Sequence, residues 1–387
     1  MTRILYVSQG YSTHDRRFLE KLAESGHEVW HLPCAADSVR YETRSLPEGI
    51  HPLAPLSRKP IVPGSLNSVR AALRFRRVMR EVQPEIVHAG PVQTGGFFAA
   101  LCGFHPLLIM SWGSDVLVAP EKSAWMRWIT KFTLRRADMV LGDCDAVRER
   151  VSALGRVPGE RIVTFPYGVD CDVFRPKLSE LSLRQKLGWK ECRIVISTRS
   201  FDTSYGTMIF LNAMRRVLAK CSDVRVLMLG DGSLRRQVEG FIESSGLKGK
   251  IHLAGHVRED ALADYFAEAD LYVSAAYCDG SSISLLQAMG CGLPVIVTGG
   301  YGNREWVIHR ENGWLYAAGK VDALVATVLE ALDDDELRAA MGKANVATVR
   351  SRANWELNFG KLLTAYDKLF FPTVVKEVKT YAQLSNR

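Results

Sequence analysis

The feature that most constrains this chain is an alternation that starts twice. Ile4–Val7 reads as a buried strand, Arg16–Ser25 as an amphipathic helix stopped by Gly26, and His27–Leu32 as a second strand. Val69–Gln83 continues as a helix, Glu85–His88 as a strand behind Pro84, and Leu107–Met110 and Met139–Leu141 as further short strands. The pattern begins again at Arg193–Ser197. Helices at Met208–Cys221, Leu234–Ser245 and Ala261–Ala269 are interleaved with strands at Val224–Leu229, Lys250–Leu253 and Leu271–Ser274. Between the two runs lies Phe165–Pro176, "FPYGVDCDVFRP", which has no periodicity and reads as a hinge. Such alternation predicts an α/β fold of two doubly wound, helix-covered parallel sheets. The expected domains are residues 1–168 and 169–370, with 371–387 as a C-terminal helix or tail. Open sheets of this kind bind ligands outside the carboxyl ends of their strands.

Composition narrows the setting. In 387 residues the formal charge is +8, which points to an anionic partner: lipid headgroups, nucleic acid or a phosphorylated substrate. The eight cysteines stand singly, without Cys-x-x-Cys or zinc spacing, as expected for a reducing cytoplasm. The first apolar run is too short for a signal peptide, and no stretch reads as a spanning helix.

The chemistry concentrates in "DGSSISLLQAMGCGLPVIVTGG", residues 279–300. A polar loop opens a short helix, Ile283–Met289, which breaks at Gly290-Cys-Gly292 and leads into a strand at Pro294–Val297. A helix N-terminus carries unpaired N–H donors and a partial positive charge, which suits phosphate. Alternatively, Ser281 or Ser282 simply caps the helix. Asp279 and Gln287 are the two side chains here that are polar and long enough to reach a ligand. Gly10, at the end of the first strand, allows close backbone approach, and His14 just beyond it is either structural or turned toward a ligand.

Taken together, "VHAG" (87–90), "WGSDVL" (112–117), "YGVDCDVFRP" (167–176), "TRS" (198–200), "VLMLGDGSLRRQVE" (226–239), "IHLAGHV" (251–257), 269–298 and "NREWVIHRENGWLY" (303–316) resemble the family 4 glycosyltransferases. The resemblance covers the chain to about Phe370. It implies the GT-B fold, with two Rossmann-like domains facing across a cleft, and retaining transfer from a nucleotide-sugar co-substrate, UDP- or GDP-linked, with no other cofactor. The family's Glu-x7-Glu falls on Asp279, which would hold donor-sugar hydroxyls, and Gln287, which would hold the ribose. The backbone of Gly280, Ser281, Ser282 and Ile283 would face the diphosphate, with Arg199 as its arginine. Gly255, His256 and Val257 would meet the base, and Glu305 falls on a position near the donor.

Three positions depart from the family. Tyr205-Gly206 stands one residue further along than the Lys-Gly that is usual, so a diphosphate cation is missing or comes from elsewhere; Gln287 replaces an acid, so one anion is missing too. Losing both keeps the charge sum unchanged, which suggests compensation. Trp112 replaces a sugar-contacting histidine, and is either a stacking platform or core. Asp115 matches a loop acid of uncertain role, and Asn303 is either near the donor or a cap.

No acidic pair sits where a metal-dependent transferase would need it, so the reaction is expected to be metal-independent. A dehydrogenase would need Gly-x-Gly-x-x-Gly, which "SQGYSTHDRR" and "GDGSLRR" lack. No nucleic-acid module is recognisable. The rival reading is a non-catalytic nucleotide-sugar binder.

The acceptor is expected to be a saccharide or lipid-linked. The helices Arg70–Val82 and Ser123–Arg136 each pair a basic face (Arg70, Arg74, Arg77; Arg127, Lys131, Arg135) with an apolar one. The apolar residues are Ala71, Phe75, Val78, Met79 and Val82 in the first and Trp125, Trp128, Ile129 and Phe132 in the second. Two readings stay open. The apolar faces are core, or they meet an anionic membrane surface peripherally at its inner face.

Overall fold

The computed structural model describes residues 2–36 and 42–370. The chain forms two units. Of these residues, one unit holds those up to Phe165 together with 357–370, and the other holds Pro166–Glu356.

The first unit is built on seven parallel strands: β1 (Arg3–Ser8), β2 (Glu28–Pro33), β3 (Ile50–Pro52), β4 (Ile86–Ala89), β5 (Leu107–Met110), β6 (Met139–Gly142) and β7 (Ile162–Thr164). Their order is β3-β2-β1-β4-β5-β6-β7, so the winding reverses between β1 and β4. The second unit has β8 (Arg193–Ser197), β9 (Val224–Leu229), β10 (Ile251–Gly255), β11 (Leu271–Val273), β12 (Val295–Thr298) and β13 (Trp314–Tyr316). Their order is β10-β9-β8-β11-β12-β13, with the reversal between β8 and β11. These are the doubly wound sheets expected from the alternation.

Strand sequences that are apolar throughout follow from burial on both faces. Val195, Val226, Leu271, Val273 and Ile296 enter one core layer of the second unit. Their strand neighbours Ile194, Ile196, Leu227, Tyr272, Val295 and Val297 enter the other. Among the described residues no helix is long and apolar enough to cross a membrane.

Two boundaries differ from the sequence reading. The units divide between Phe165 and Pro166. The aperiodic segment after that point is anchored, because Val169 and Phe174 are buried in the second unit's core. At the other end, Leu357–Phe370 belongs with the first unit, although the sequence reading grouped it with the second. The reason is its buried face: in the helix Trp355–Phe370, Phe359, Leu362 and Tyr366 lie at i, i+3 and i+7. The Tyr366 hydroxyl lies 2.7 Å from His88 Nδ1 on β4. Residues 371–387, read as a helix or tail, lie outside the described residues.

Candidate donor and acceptor sites

In the second unit, Arg199 follows β8 and Asp279 follows β11, so the topology delivers both to the reversal point. Arg199 Nη2 donates to Asp279 Oδ1 at 2.6 Å, and both side chains are buried, 12% and 10% exposed. Nη1 donates to Ser282 Oγ at 2.7 Å and to Ser284 Oγ at 2.9 Å. The guanidinium carbon lies 4.4 Å from the centre of the Tyr205 ring. Burial alone would lower the Arg199 pKa; the Asp279 carboxylate, with Tyr272 and Tyr205, outweighs it and holds the guanidinium firmly charged. Burial pushes the Asp279 carboxyl up, and Arg199 pulls it back part way.

The pair is incompletely satisfied. A guanidinium has five N–H donors. Three are used here, and Nε is buried without a partner. Asp279 Oδ2 is likewise buried and unpartnered.

The helix beside them, Ile283–Gly290, has no side-chain cap. Ser282, at its N-cap, is taken by Arg199, and Ser281 Oγ instead accepts from Trp306 Nε1 at 3.0 Å. Both serines of the capping alternative are therefore engaged elsewhere, which leaves the first-turn N–H groups without side-chain acceptors. Close packing holds the loop. A Cβ at Gly302 would lie 2.4 Å from the Gly280 carbonyl oxygen, and Gly302 N donates to the Asp279 carbonyl at 3.2 Å. Gly206 has φ +63°, and a Cβ there would lie 2.1 Å from the Ala275 carbonyl oxygen; this seats the Tyr205 turn against the β11 exit.

Gln287 is buried, one turn into the same helix. Its Nε2 donates to Glu259 Oε1 at 3.3 Å. A local carboxylate is thus a nearer reason for the amide than compensation at Tyr205. Gly255, with φ +72°, ends β10, His256 and Val257 follow it, and His256 is exposed. Glu305 is half-buried in the short helix Asn303–Trp306, and its carbonyl accepts from Arg352. Asn303 is not a cap: its amide donates to the Thr298 carbonyl at 3.0 Å.

Sequence reading missed Ser284, Tyr272 and Glu259. Ser284 Oγ links Arg199 to the Tyr272 hydroxyl, 3.0 Å away. A tyrosine inside an otherwise aliphatic strand was the available signal.

In the first unit, His14 and Trp112 come together, with ring centroids 5.6 Å apart, and Phe18 meets the Trp112 edge. Trp112 is half-buried. Gly10 is buried, and its carbonyl accepts from Ser8 Oγ. Asp115 is turned inward: Oδ2 accepts from Val92 N at 3.0 Å, and Oδ1 from Ser111 Oγ at 2.7 Å and Trp112 N at 3.0 Å. It ties the loop after β4 to the loop after β5. Burial raises its pKa, against those hydrogen bonds.

The two basic helices settle differently. Leu66–Val82 buries Ala71, Phe75, Val78 and Val82, as the core reading expects, but leaves Leu66, Val69 and Leu73 exposed. Ala124–Arg136 buries Ile129, Thr130, Thr133 and Leu134. Trp125 and Trp128 are 46% and 48% exposed and stack at 4.9 Å, so the core reading fails for them.

Among the described residues no group of three or more His, Cys, Asp or Glu is placed to hold a metal.

Comparison with known proteins bears on the family and the fold. Residues 180–347 match the family model "Glycosyl transferases group 1", and residues 3–143 match "Glycosyl transferase 4-like". The chain is 25% identical over 354 residues to the sulfoquinovosyl transferase SQD2 of Arabidopsis thaliana, covering 88% of this chain and 66% of that one. It is 30% identical over 247 residues to a GDP-mannose-dependent monoacylated alpha-(1-6)-phosphatidylinositol monomannoside mannosyltransferase of Corynebacterium glutamicum, covering 62% of this chain and 60% of that one. In both cases the chain spans less than two thirds of the relative's length. The crystal structure of Anabaena HepE with UDP-glucose superposes with a TM-score of 0.78 at 19% identity, covering 95% of this chain and 100% of that one. With both halves matched, each built on its own doubly wound sheet, the chain belongs to the family 4-like glycosyltransferases of GT-B fold.

Proposed function

We propose that this protein transfers a sugar from a UDP- or GDP-linked donor to a saccharide or lipid-linked acceptor, with retention and without a metal. The observation that carries the reading is the Arg199–Asp279 pair beside an uncapped helix N-terminus, with one buried atom of each partner unsatisfied. Unused Arg199 N–H groups and the first-turn amides would hold the diphosphate and stabilise its charge as it leaves. Asp279 Oδ2 would accept from a donor-sugar hydroxyl. The bond from the anomeric carbon to the phosphate oxygen breaks, the acceptor oxygen bonds that carbon from the same face, and its proton passes to the departing phosphate. His14 and Trp112 would line the acceptor side.

The Corynebacterium relative is named for GDP-mannose and HepE was solved with UDP-glucose, so both nucleotides belong in the assay. The test is nucleotide release with a panel of UDP- and GDP-sugars, with and without chelator, and determination of product anomeric configuration. Donor binding without transfer or hydrolysis would make the chain a non-catalytic binder, and inversion would refute retention.

The exposed Val62, Leu66, Val69, Leu73, Trp125 and Trp128, beside exposed Arg70, Arg74 and Arg77, support peripheral docking on an anionic membrane. Trp125 Nε1 donates to the Pro63 carbonyl, which joins the tryptophan pair to the Val62 end of the patch. Co-sedimentation with anionic vesicles at low salt tests this. Indifference to them removes the membrane, and with it the placement at a membrane's cytoplasmic face.

A further inference from the structure

We propose that Glu259 is a donor-binding residue that supplies the ribose-holding carboxylate absent at position 287, with Gln287 positioning it; this rests on the second unit being the donor site.

The argument starts from connectivity in the donor. Its ribose lies covalently between base and diphosphate. A base at Gly255–Val257 and a diphosphate at Gly280–Ile283 therefore place the ribose between those segments. The side-chain pair that bridges them is Glu259, which opens the helix Glu259–Ala267 just beyond Val257, and Gln287, in the helix that Ile283 opens. The two helices share one core layer, in which Ala263 and Phe266 pack with Leu285, Leu286 and Met289, so their spacing is fixed. The neighbouring acid, Asp260, is exposed and paired with Arg258, whereas Glu259 is half-buried and meets Gln287.

The chemistry follows. A ribose diol donates two hydrogen bonds. A carboxylate can accept both, while an amide has one oxygen. Gln287 uses an N–H on Glu259, which orients the carboxylate without adding charge. A second carboxylate at 287 would face the first within hydrogen-bond distance and repel it. The pair needs one acid and one amide, and this chain places the acid on the base side.

Calorimetric affinities for UDP and GDP and for their 2′-deoxy forms test this in the full chain. Glu259→Gln should weaken the tighter ribonucleotide about tenfold, and the 2′-deoxy form much less. Gln287→Glu should weaken it by a similar factor. The exchange variant carrying both changes should return to within about threefold of the unaltered protein, as two mutually dependent groups should. Ribonucleotide affinity within twofold in Glu259→Gln, equal losses for ribo and deoxy forms, or an exchange variant as weak as the worse single change would each overturn the assignment. Failure of the unaltered protein to bind either nucleotide would bring down the donor-site reading itself, whereas binding that Glu259→Gln leaves untouched removes only Glu259.

Discussion

Each unit carries an acid just beyond the carboxyl end of a strand, Asp115 after β5 and Asp279 after β11, and the two are used in opposite ways. Asp115 in the first unit spends both oxygens on its own loops, accepting from Val92, Ser111 and Trp112. Asp279 in the second leaves one buried oxygen unpaired and sits against an arginine that also has a buried unpaired nitrogen. Buried polar groups are nearly always satisfied. On the proposed function, the complete set of partners at Asp115 is scaffolding, and the matching gaps of Arg199 and Asp279 are a place that a ligand completes. The contrast can be broken by treating both acids alike.

The largest effect is expected at Asp279. Asp279→Asn keeps the shape but removes the charge that holds Arg199 and any sugar hydroxyl. Transfer should fall by roughly 100- to 1000-fold, while free nucleoside diphosphate binds within about threefold, because that ligand lacks the transferable donor sugar that Asp279 would hold. Equal losses in the two measurements would refute its placement at the sugar.

Asp115 should behave the other way. Asp115→Ala removes an acceptor from two backbone N–H groups and from the Ser111 hydroxyl in a buried part of the unit. A stability loss of about 2–4 kcal/mol is expected, read as a lower urea midpoint, with nucleotide affinity unchanged. If nucleotide affinity fell and the midpoint did not, Asp115 would be a ligand contact and the comparison would collapse.

Titration separates the units again. The first unit buries His31 and His88, whose pKa values burial pushes down to about 4 and about 3, and Asp15, whose carboxyl burial pushes up to about 6. Between pH 4 and 6 the unfolded chain protonates both histidines and leaves Asp15 charged, whereas the folded unit protonates Asp15 alone. The unfolded state then binds one more proton, so these three groups together remove about 1.4 kcal/mol of stability per pH unit as pH falls through that window. His88→Gln leaves one histidine against one aspartate, and the slope in urea stability between pH 5 and 6 should drop by about that amount. An unchanged slope would mean His88 already titrates normally in the folded state.

How much of this was legible depends on the length scale of the signal. Strands such as Arg193–Ser197 and Val224–Leu229 matched residue for residue, because both of their faces are buried and their centres, Ile194–Ile196 and Val226–Leu229, are apolar throughout. The edge strands Ile50–Pro52, Ile162–Thr164 and Trp314–Tyr316 are three residues long, too short to show a period. Arg199 and Asp279 stood out in the sequence because motif spacing survives in one dimension, and the structure brings them together with Tyr205. Glu259 was not, since its meeting with Gln287 comes from two helices packing on one sheet face, 28 residues apart. Trp125 and Trp128 were equally ambiguous from sequence. Their helix has apolar residues around more than one face, and periodicity gives a face without saying whether protein covers it.

The smallest effect expected is at Tyr205, where the chain departs from the usual lysine. The one-residue offset in the sequence left open whether this side chain faces the donor machinery at all. It does meet it, with the ring 4.4 Å from the Arg199 guanidinium carbon. A cation over an aromatic face gains about 1–2 kcal/mol where water is largely excluded. The tyrosine thus acts through its ring, holding flat the guanidinium that Ser282, Ser284 and Asp279 fix at its edge. Tyr205→Phe should leave donor affinity within about twofold, since the ring remains, and Tyr205→Ala should weaken it about five- to tenfold. Tyr205→Lys removes the face and sets a second cation beside Arg199, at a repulsion of about 3 kcal/mol for unit charges 5 Å apart at an effective dielectric of 20. The donor's diphosphate offsets that repulsion only when it is bound. The lysine variant should therefore lower the urea midpoint of the ligand-free protein and recover part of the loss on adding nucleotide. If Tyr205→Phe is as weak as Tyr205→Ala, the hydroxyl and not the ring is the working group, and Tyr205 contacts the donor directly.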